Sequence, residues 1–339
     1  MDFEELKEAF ARQELFEGKT WRTSPKPWEL SGEIVESLEV IGQASLDFYK
    51  ALEVLYSRSA DGKKLLRNKE LFAPWVVDYL DRGKPKELVA LSRSKACKGH
   101  IPPVIRPDLL VTQDGFSITE LDSVPGGIGL TAYLNALYQK DSEHPMLGAD
   151  GAMANAFYRR LAGLAPEKDH PVIAIVISEE AVTYKPEMDW LAEQLQLKGF
   201  RVFSLHADDV FPLGGALYFD VEGNPEKIDV VYRFFELFDL ANIKTAEFII
   251  EAWESGEIAL DPPLRPFFEE KAAMGLYHHH LLAEFWKEAI PKRSRKILDS
   301  LIPKTWIVDP APLPPGAVVD GPYTQGRPLH SWMDLAKAS

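Results

Sequence analysis

What this sequence has little of bounds it first. A single cysteine, Cys97, in 339 residues excludes an internal disulfide and any cysteine-rich zinc site. A reducing, cytoplasmic setting is therefore the expectation. Positive charge is also scarce: the formal net charge is −14, and no Lys/Arg block is longer than the KRSRK run at 292–296. Nucleic acid and anionic membranes both call for a concentrated basic face, so neither is expected as a partner. No uncharged apolar stretch approaches the roughly 20 residues that cross a bilayer. The acidic N-terminus MDFEELKEAFARQELF lacks the basic start and apolar core of a signal peptide.

What is present is globular, with 46% hydrophobic and 27% charged residues and enough length for two packed cores or one elaborated core. To about residue 95 apolar residues recur at helical spacing, as in EIVESLEVIGQASLDFYKALEVLYSRS. KGHIPPVIRP then breaks the pattern, and DLLVT and FSITELD read as a hairpin around Gln113-Asp114-Gly115. LTAYLNALYQK reads as a helix following a glycine turn. From His170, PVIAIVIS has the continuous apolar character of a buried strand, PEMDWLAEQLQLKGF is an amphipathic helix and RVFSLHADDV a second strand. That βαβ order predicts a parallel sheet. GALYFDVEG reads as a hairpin arm and IDVVYRFFELFDL as a further strand ending in charged residues. Helical texture returns from about 243 to 301, ahead of the proline-rich VDPAPLPPGAVVDGP. The tail HSWMDLAKAS stops in mid-pattern and reads as cut. The expected class is α/β, divided at 1–98 (helical), 99–169 (hairpin and helix), 170–242 (Rossmann-like), 243–310 (helical) and 311–339 (proline-rich linker and truncated tail).

Chemistry concentrates in TELDSVPGGIGL. Residues two apart on a strand share a face, so Glu120 and Asp122 project together. If Gln113-Asp114-Gly115 is a three-residue loop with Gly115 left-handed, Thr112 pairs with Phe116. Asp108 then falls opposite Glu120 and Arg106 opposite Asp122. A two-residue turn shifts the register by one and moves Asp108 to the other face. Three carboxylates on one face need Arg106 or a hard divalent ion such as Mg²⁺, which takes a few carboxylates and then phosphate oxygens. A surface hairpin with scattered acids and an Arg106 salt bridge is the plain alternative.

Two other motifs are weaker. Gly18-Lys19-Thr20 resembles a P-loop end, but Gln13 stands where its first glycine belongs and no apolar strand precedes it. Gly127-Ile128-Gly129-Leu130-Thr131-Ala132 fits G-x-G-x-x-A. The neighbouring acids, Pro125 and the loop position of Glu143 count against a dinucleotide, and a dinucleotide-binding oxidoreductase remains a further alternative.

The run R-P-D, eleven residues, E-L-D and then P-G-G resembles the metal-binding hairpin of the circularly permuted ATP-grasp ligases, of the glutathionylspermidine synthase and eukaryotic glutathione synthetase type. The βαβ unit at 171–210 is similar to that family's pre-ATP-grasp domain. VVYRFFELFDL and the stretch from EEKAAMGLYHHHLLAEFW to LIPKTWIVDP are similar to its later segments. The resemblance implies Asp108, Glu120 and Asp122 as Mg²⁺ ligands bridging ATP phosphates, and Arg106 as the cation on the transferring phosphoryl group. Gly126 and Gly127 would form a phosphate-proximal loop. It implies a carboxylate–amine ligase acting through an acyl phosphate on small-molecule carboxylate and amine substrates. There are departures. Asp122 stands where the family has Asn, and the turn to Pro125 is one residue shorter. The family's Lys-Pro pair and glycine-rich loop do not follow Trp306. The resemblance thus implies half a site, completed by a C-terminal segment or separate chain, and no ATP turnover by residues 1–339 alone. A non-catalytic module derived from this fold is the alternative.

Glu179 and Glu180 end the apolar strand at the carboxyl edge of the expected sheet and can hold a cationic amine; a helix N-terminus favoured by acids explains them equally. Arg233 is a candidate for substrate contact, or forms an ion pair with Glu236. His278-His279-His280, taken as helical, point three ways and cannot share an ion. Cys97 lies between lysines in SKACKGH, which would lower its pKa, but it has no acid–base partner.

Overall fold

The computed structural model describes residues 2–113, 115–309, 311, 319–324 and 327–333. Helix α1 (Phe3–Ala11) opens on a capping box in which Asp2 accepts from the Glu4 and Glu5 amides and Glu5 caps in return. The long helix α2 (Gly32–Ala60) starts at Ser31, whose hydroxyl accepts from the Ile34 amide. Its helical period places Ala44, Phe48, Leu52 and Leu55 on one fully buried stripe. Short helices α3 (Trp75–Leu80) and α4 (Lys86–Ser92) follow. Strands β1 (Arg106–Thr112) and β2 (Gly115–Asp122) form an antiparallel hairpin, and helices α5 (Ile128–Gln139) and α6 (Ala152–Ala162) come next.

The run PVIAIVIS becomes β3 (Ile173–Ile177), buried at every position. Helix α7 (Lys185–Gln196) links it to β4 (Val202–His206), which pairs with it in parallel. An antiparallel arm of β5 (Phe211–Leu213), β6 (Ala216–Val221) and β7 (Asn224–Lys227) intervenes. β8 (Val230–Phe234) and, after helix α8 (Ala246–Glu254), β9 (Ala259–Asp261) complete a four-stranded parallel sheet of order β4-β3-β8-β9. Alternation divides the strand side chains. Ile173, Ile175 and Ile177 pack with α5, α6 and α7, while Ala174 and Val176 face α8 and the arm. Both faces are covered, which is why the central strands read as unbroken apolar runs.

Helices α9 (Ala272–Tyr277), α10 (Ala283–Ala289) and α11 (Lys292–Leu301) do not form a separate body. They share one core with α2 and α3, and Phe48 lies 5.5 Å from Trp286 and 5.8 Å from Tyr277 between ring centroids. The helical stretch 243–310 is thus divided, with α8 on the sheet and α9–α11 on the N-terminal helices. Ile118 of the hairpin is buried in the same core. The Tyr49 hydroxyl lies 3.1 Å from the Leu121 carbonyl and 3.0 Å from that of Phe268, tying the hairpin to the C-terminal half. In the segment expected as a proline-rich linker, β10 (Val319–Thr324) pairs with β11 (Arg327–Leu329); Pro310, residues 312–318 and the end of the tail lie outside the described residues. Among the described residues no helix is long and apolar enough to cross a membrane.

Candidate functional site

The hairpin reaches the expected pairing by an unexpected route. Thr112 pairs with Gly115, whose φ is +122°, and not with Phe116; Asp114 lies outside the described residues. A turn that short turns Asp108 away from Glu120 unless something restores the register. A β-bulge does so. Leu109 pairs with Ile118, Asp108 with Glu120, and Thr119 is the extra residue, its hydroxyl donating to the Asp108 carbonyl at 3.2 Å. Beyond the bulge Arg106 faces Asp122. The loop expectation is corrected, and the grouping of Arg106, Asp108, Glu120 and Asp122 stands.

Arg106 organises this face. Its Nε and Nη2 donate to the two Asp108 oxygens at 2.7 and 3.2 Å, Nη2 lies 3.2 Å from Asp122 Oδ2, and Nη1 donates to the Gly126 carbonyl at 2.9 Å. Lys271, preceding α9, sits 3.0 Å from Glu120. Asp122 also accepts from the Val124 amide at 2.9 Å. Partial burial pushes the Asp122 carboxyl above its usual range, against the Val124 hydrogen bond and Arg106, with Glu120 and Asp108 adding repulsion.

The face meets the carboxyl edge of the parallel sheet. In the order β4-β3-β8-β9 successive strands are added to opposite sides of the β3–β8 pair, and ligands of open α/β sheets bind outside the carboxyl ends at such a point. Glu179 and Glu180 follow β3 there, both exposed, and Asn242 donates to Glu180 at 2.8 Å. Glu236 follows β8. Desolvation, then repulsion from Glu269, Asp122 and Asp239, pushes its carboxyl up to about 7. Arg233 pairs with Glu269 at 2.7 Å rather than with Glu236. It is 1% exposed and donates as well to the carbonyls of Phe235, Pro262 and Pro263, so it ties the ends of β8 and β9 together. Glu269, Lys271 and Tyr49 were silent in the sequence, because each enters from a helical segment far along the chain.

The glycine turn explains why the fingerprint is misleading. Gly127 has φ +87° and caps α5, but its amide donates to Glu187 of α7 at 2.5 Å. Burial pushes the Glu187 carboxyl up, while the amides of Gly127 and Leu130 hold it down. An internal carboxylate therefore occupies the place of a pyrophosphate at the helix N-terminus. Gly129 is required for helix contact, since a Cβ there would lie 2.1 Å from the Glu187 carbonyl oxygen; one at Gly126 would meet the Tyr184 ring at 2.4 Å.

The histidines are not on one helix, because α9 ends at Tyr277. His278 lies 3.1 Å from the Ile302 carbonyl, and the His279 ring packs against Trp75, tilted by 38° with centroids 4.4 Å apart. Cys97 is fully buried, and desolvation raises its thiol, the reverse of the effect expected from its lysine neighbours. Among the described residues no three His, Cys, Asp or Glu side chains converge to hold a metal ion.

No protein-family model matches this chain, and a search of curated proteins finds no match.

Proposed function

We propose that the cleft between the hairpin and the sheet edge binds a Mg²⁺-bound nucleotide phosphate, and that the chain carries the phosphoryl half of an ATP-dependent carboxylate–amine ligase of the permuted ATP-grasp type, with 170–242 as its pre-ATP-grasp part. The pairing of Asp108 with Glu120 and of Arg106 with Asp122 on one face carries this reading. Five carboxylates gather here (Asp108, Glu120, Asp122, Glu236 and Glu269) against three cations (Arg106, Arg233 and Lys271), an excess of two negative charges. That donor set of hard oxygens suits one divalent ion. Mg²⁺ commonly takes only one or two carboxylates and completes its shell with water and phosphate, so it does not require three converged ligands. Of Asp108, Glu120 and Asp122, one or two would hold it directly and the others through its waters, and it would supply positive charge to phosphate oxygens. Arg106 is about half exposed and turns from Asp108 to a transferring phosphoryl group, a task that needs positioning and charge but no protein nucleophile. Glu179, Glu180 and Glu236 give the cleft mouth an acidic rim suited to a protonated amine.

Calorimetric titration of ATP-γ-S with Mg²⁺ tests the reading. Binding that requires Mg²⁺ and weakens at least about tenfold in Glu120→Ala/Asp122→Ala supports it. Absence of any Mg²⁺-dependent component of binding, or a Mg²⁺-dependent component that survives the double substitution, contradicts it. A non-catalytic module is the second reading, favoured by the ion pairs that already engage Asp108, Asp122 and Glu120; it predicts no nucleotide binding by either protein.

A further inference from the structure

The N-terminal segment encloses an open cavity of about 620 Å³, lined in part by Phe10, Phe16 and Trp21 and by Lys7, Arg12 and Lys19. Its volume falls in the usual range for small-molecule sites, roughly 300–1,000 Å³. In a chain of net charge −14, a concave wall of aromatic rings and cations is unusual chemistry.

Phe10 and Phe16 stack at 3.9 Å with planes 11° apart and present a flat platform. Phe16 is backed by Tyr133 at 5.5 Å, and the Tyr133 hydroxyl holds the Ala9 carbonyl at 3.1 Å, fixing the segment on α5. The Trp21 indole is 54% exposed, with Lys19 Nζ 5.1 Å from its centroid. Lys19 forms no ion pair among the described residues. Among the described residues Lys7 and Arg12 pair with Glu4 and Glu8, at 3.1 and 3.2 Å, in exposed contacts along one helix. Such pairs contribute little and exchange readily for a ligand anion. Glu14 and Glu17 also line the wall and disfavour a polyanion.

From this we infer that the cavity is a binding site for a planar aromatic compound carrying one anionic group, a carboxylate or a phosphate. The ring stacks against Trp21 and the Phe10–Phe16 platform while Lys19 and Arg12 receive the anion. The site shares no lining residue with the acid face and needs no metal.

Calorimetry with AMP and, separately, indole-3-acetate, both without Mg²⁺, tests this, with adenosine as the uncharged control. At least one anion is expected to bind, with adenosine at least about tenfold weaker than AMP if AMP is the ligand. Trp21→Ala and Lys19→Glu, at positions outside the packed core, are each expected to weaken binding about tenfold. Glu120→Ala/Asp122→Ala leaves it unchanged, so failure here is distinct from failure of the metal site. Binding of AMP alone identifies a nucleotide as the source of the anion, and of indole-3-acetate alone an aryl carboxylate. Absence of binding by both, or binding indifferent to both cavity substitutions, overturns the assignment.

Discussion

Arg106 on the hairpin and Arg233 on β8 are both held by carboxylates, yet their surroundings give them opposite work. Arg233 is 1% exposed, and its guanidinium is committed to Glu269 and three backbone carbonyls. A buried ion pair gains stability only when its remaining donors are satisfied, as they are here. Arg106 has a side chain 43% exposed, and Asp108, Asp122 and the Gly126 carbonyl hold it in contacts that water screens. Such contacts are weak individually and open to replacement by a ligand. One arginine is scaffold and the other is available for chemistry.

The sharpest way to break that contrast is to remove each guanidinium. Arg233→Met leaves Glu269 buried without its partner and is expected to lower unfolding free energy by about 3–5 kcal/mol in urea titrations. Arg106→Met is expected to change it by less than about 1 kcal/mol. Equal losses would erase the distinction. The glycines behind Arg106 extend it. Gly129→Ala meets the Glu187 backbone and should cost about 1–3 kcal/mol. Gly126→Ala meets the Tyr184 ring, which is 44% exposed and free to swing aside, so a smaller loss is expected in the same assay.

Proton linkage gives a subtler comparison. Burial pushes the Asp261 carboxyl up to about 7, and Glu236 is raised to about 7 as well. A raised carboxyl contributes stability in full below its unfolded pKa and loses it as pH rises through the folded value. Asp261→Asn and Glu236→Gln should therefore gain stability relative to the parent as pH goes from about 5 to about 8, more for buried Asp261 than for exposed Glu236. Thermal melts across that interval would show it, and a gain toward acid pH would reverse the sign.

The sequence made the sheet and the acid face legible because both depend on local periodicity. PVIAIVIS announces a strand covered on both sides, and E-L-D places two acids on one face of any strand. The bulge at Thr119 was not legible, since nothing in LVTQDGFSITE marks an inserted residue. The correct pairing followed from a wrong turn compensated by that bulge. The partners Lys271, Glu269 and Tyr49 come from distant segments, and no spacing rule reports contacts across 36 residues or more. The glycine motif was visible, but its role depends on Glu187 of α7, which only the fold brings beneath it.

The most direct test of the central claim, that the hairpin acids hold a divalent ion against phosphate, is an electron paramagnetic resonance titration of Mn²⁺ in the presence of ATP-γ-S. The parent chain should bind about one ion that Asp122→Asn/Glu120→Gln loses and Arg233→Met retains if folded. Equal Mn²⁺ occupancy in the parent and the Asp122→Asn/Glu120→Gln protein would contradict it.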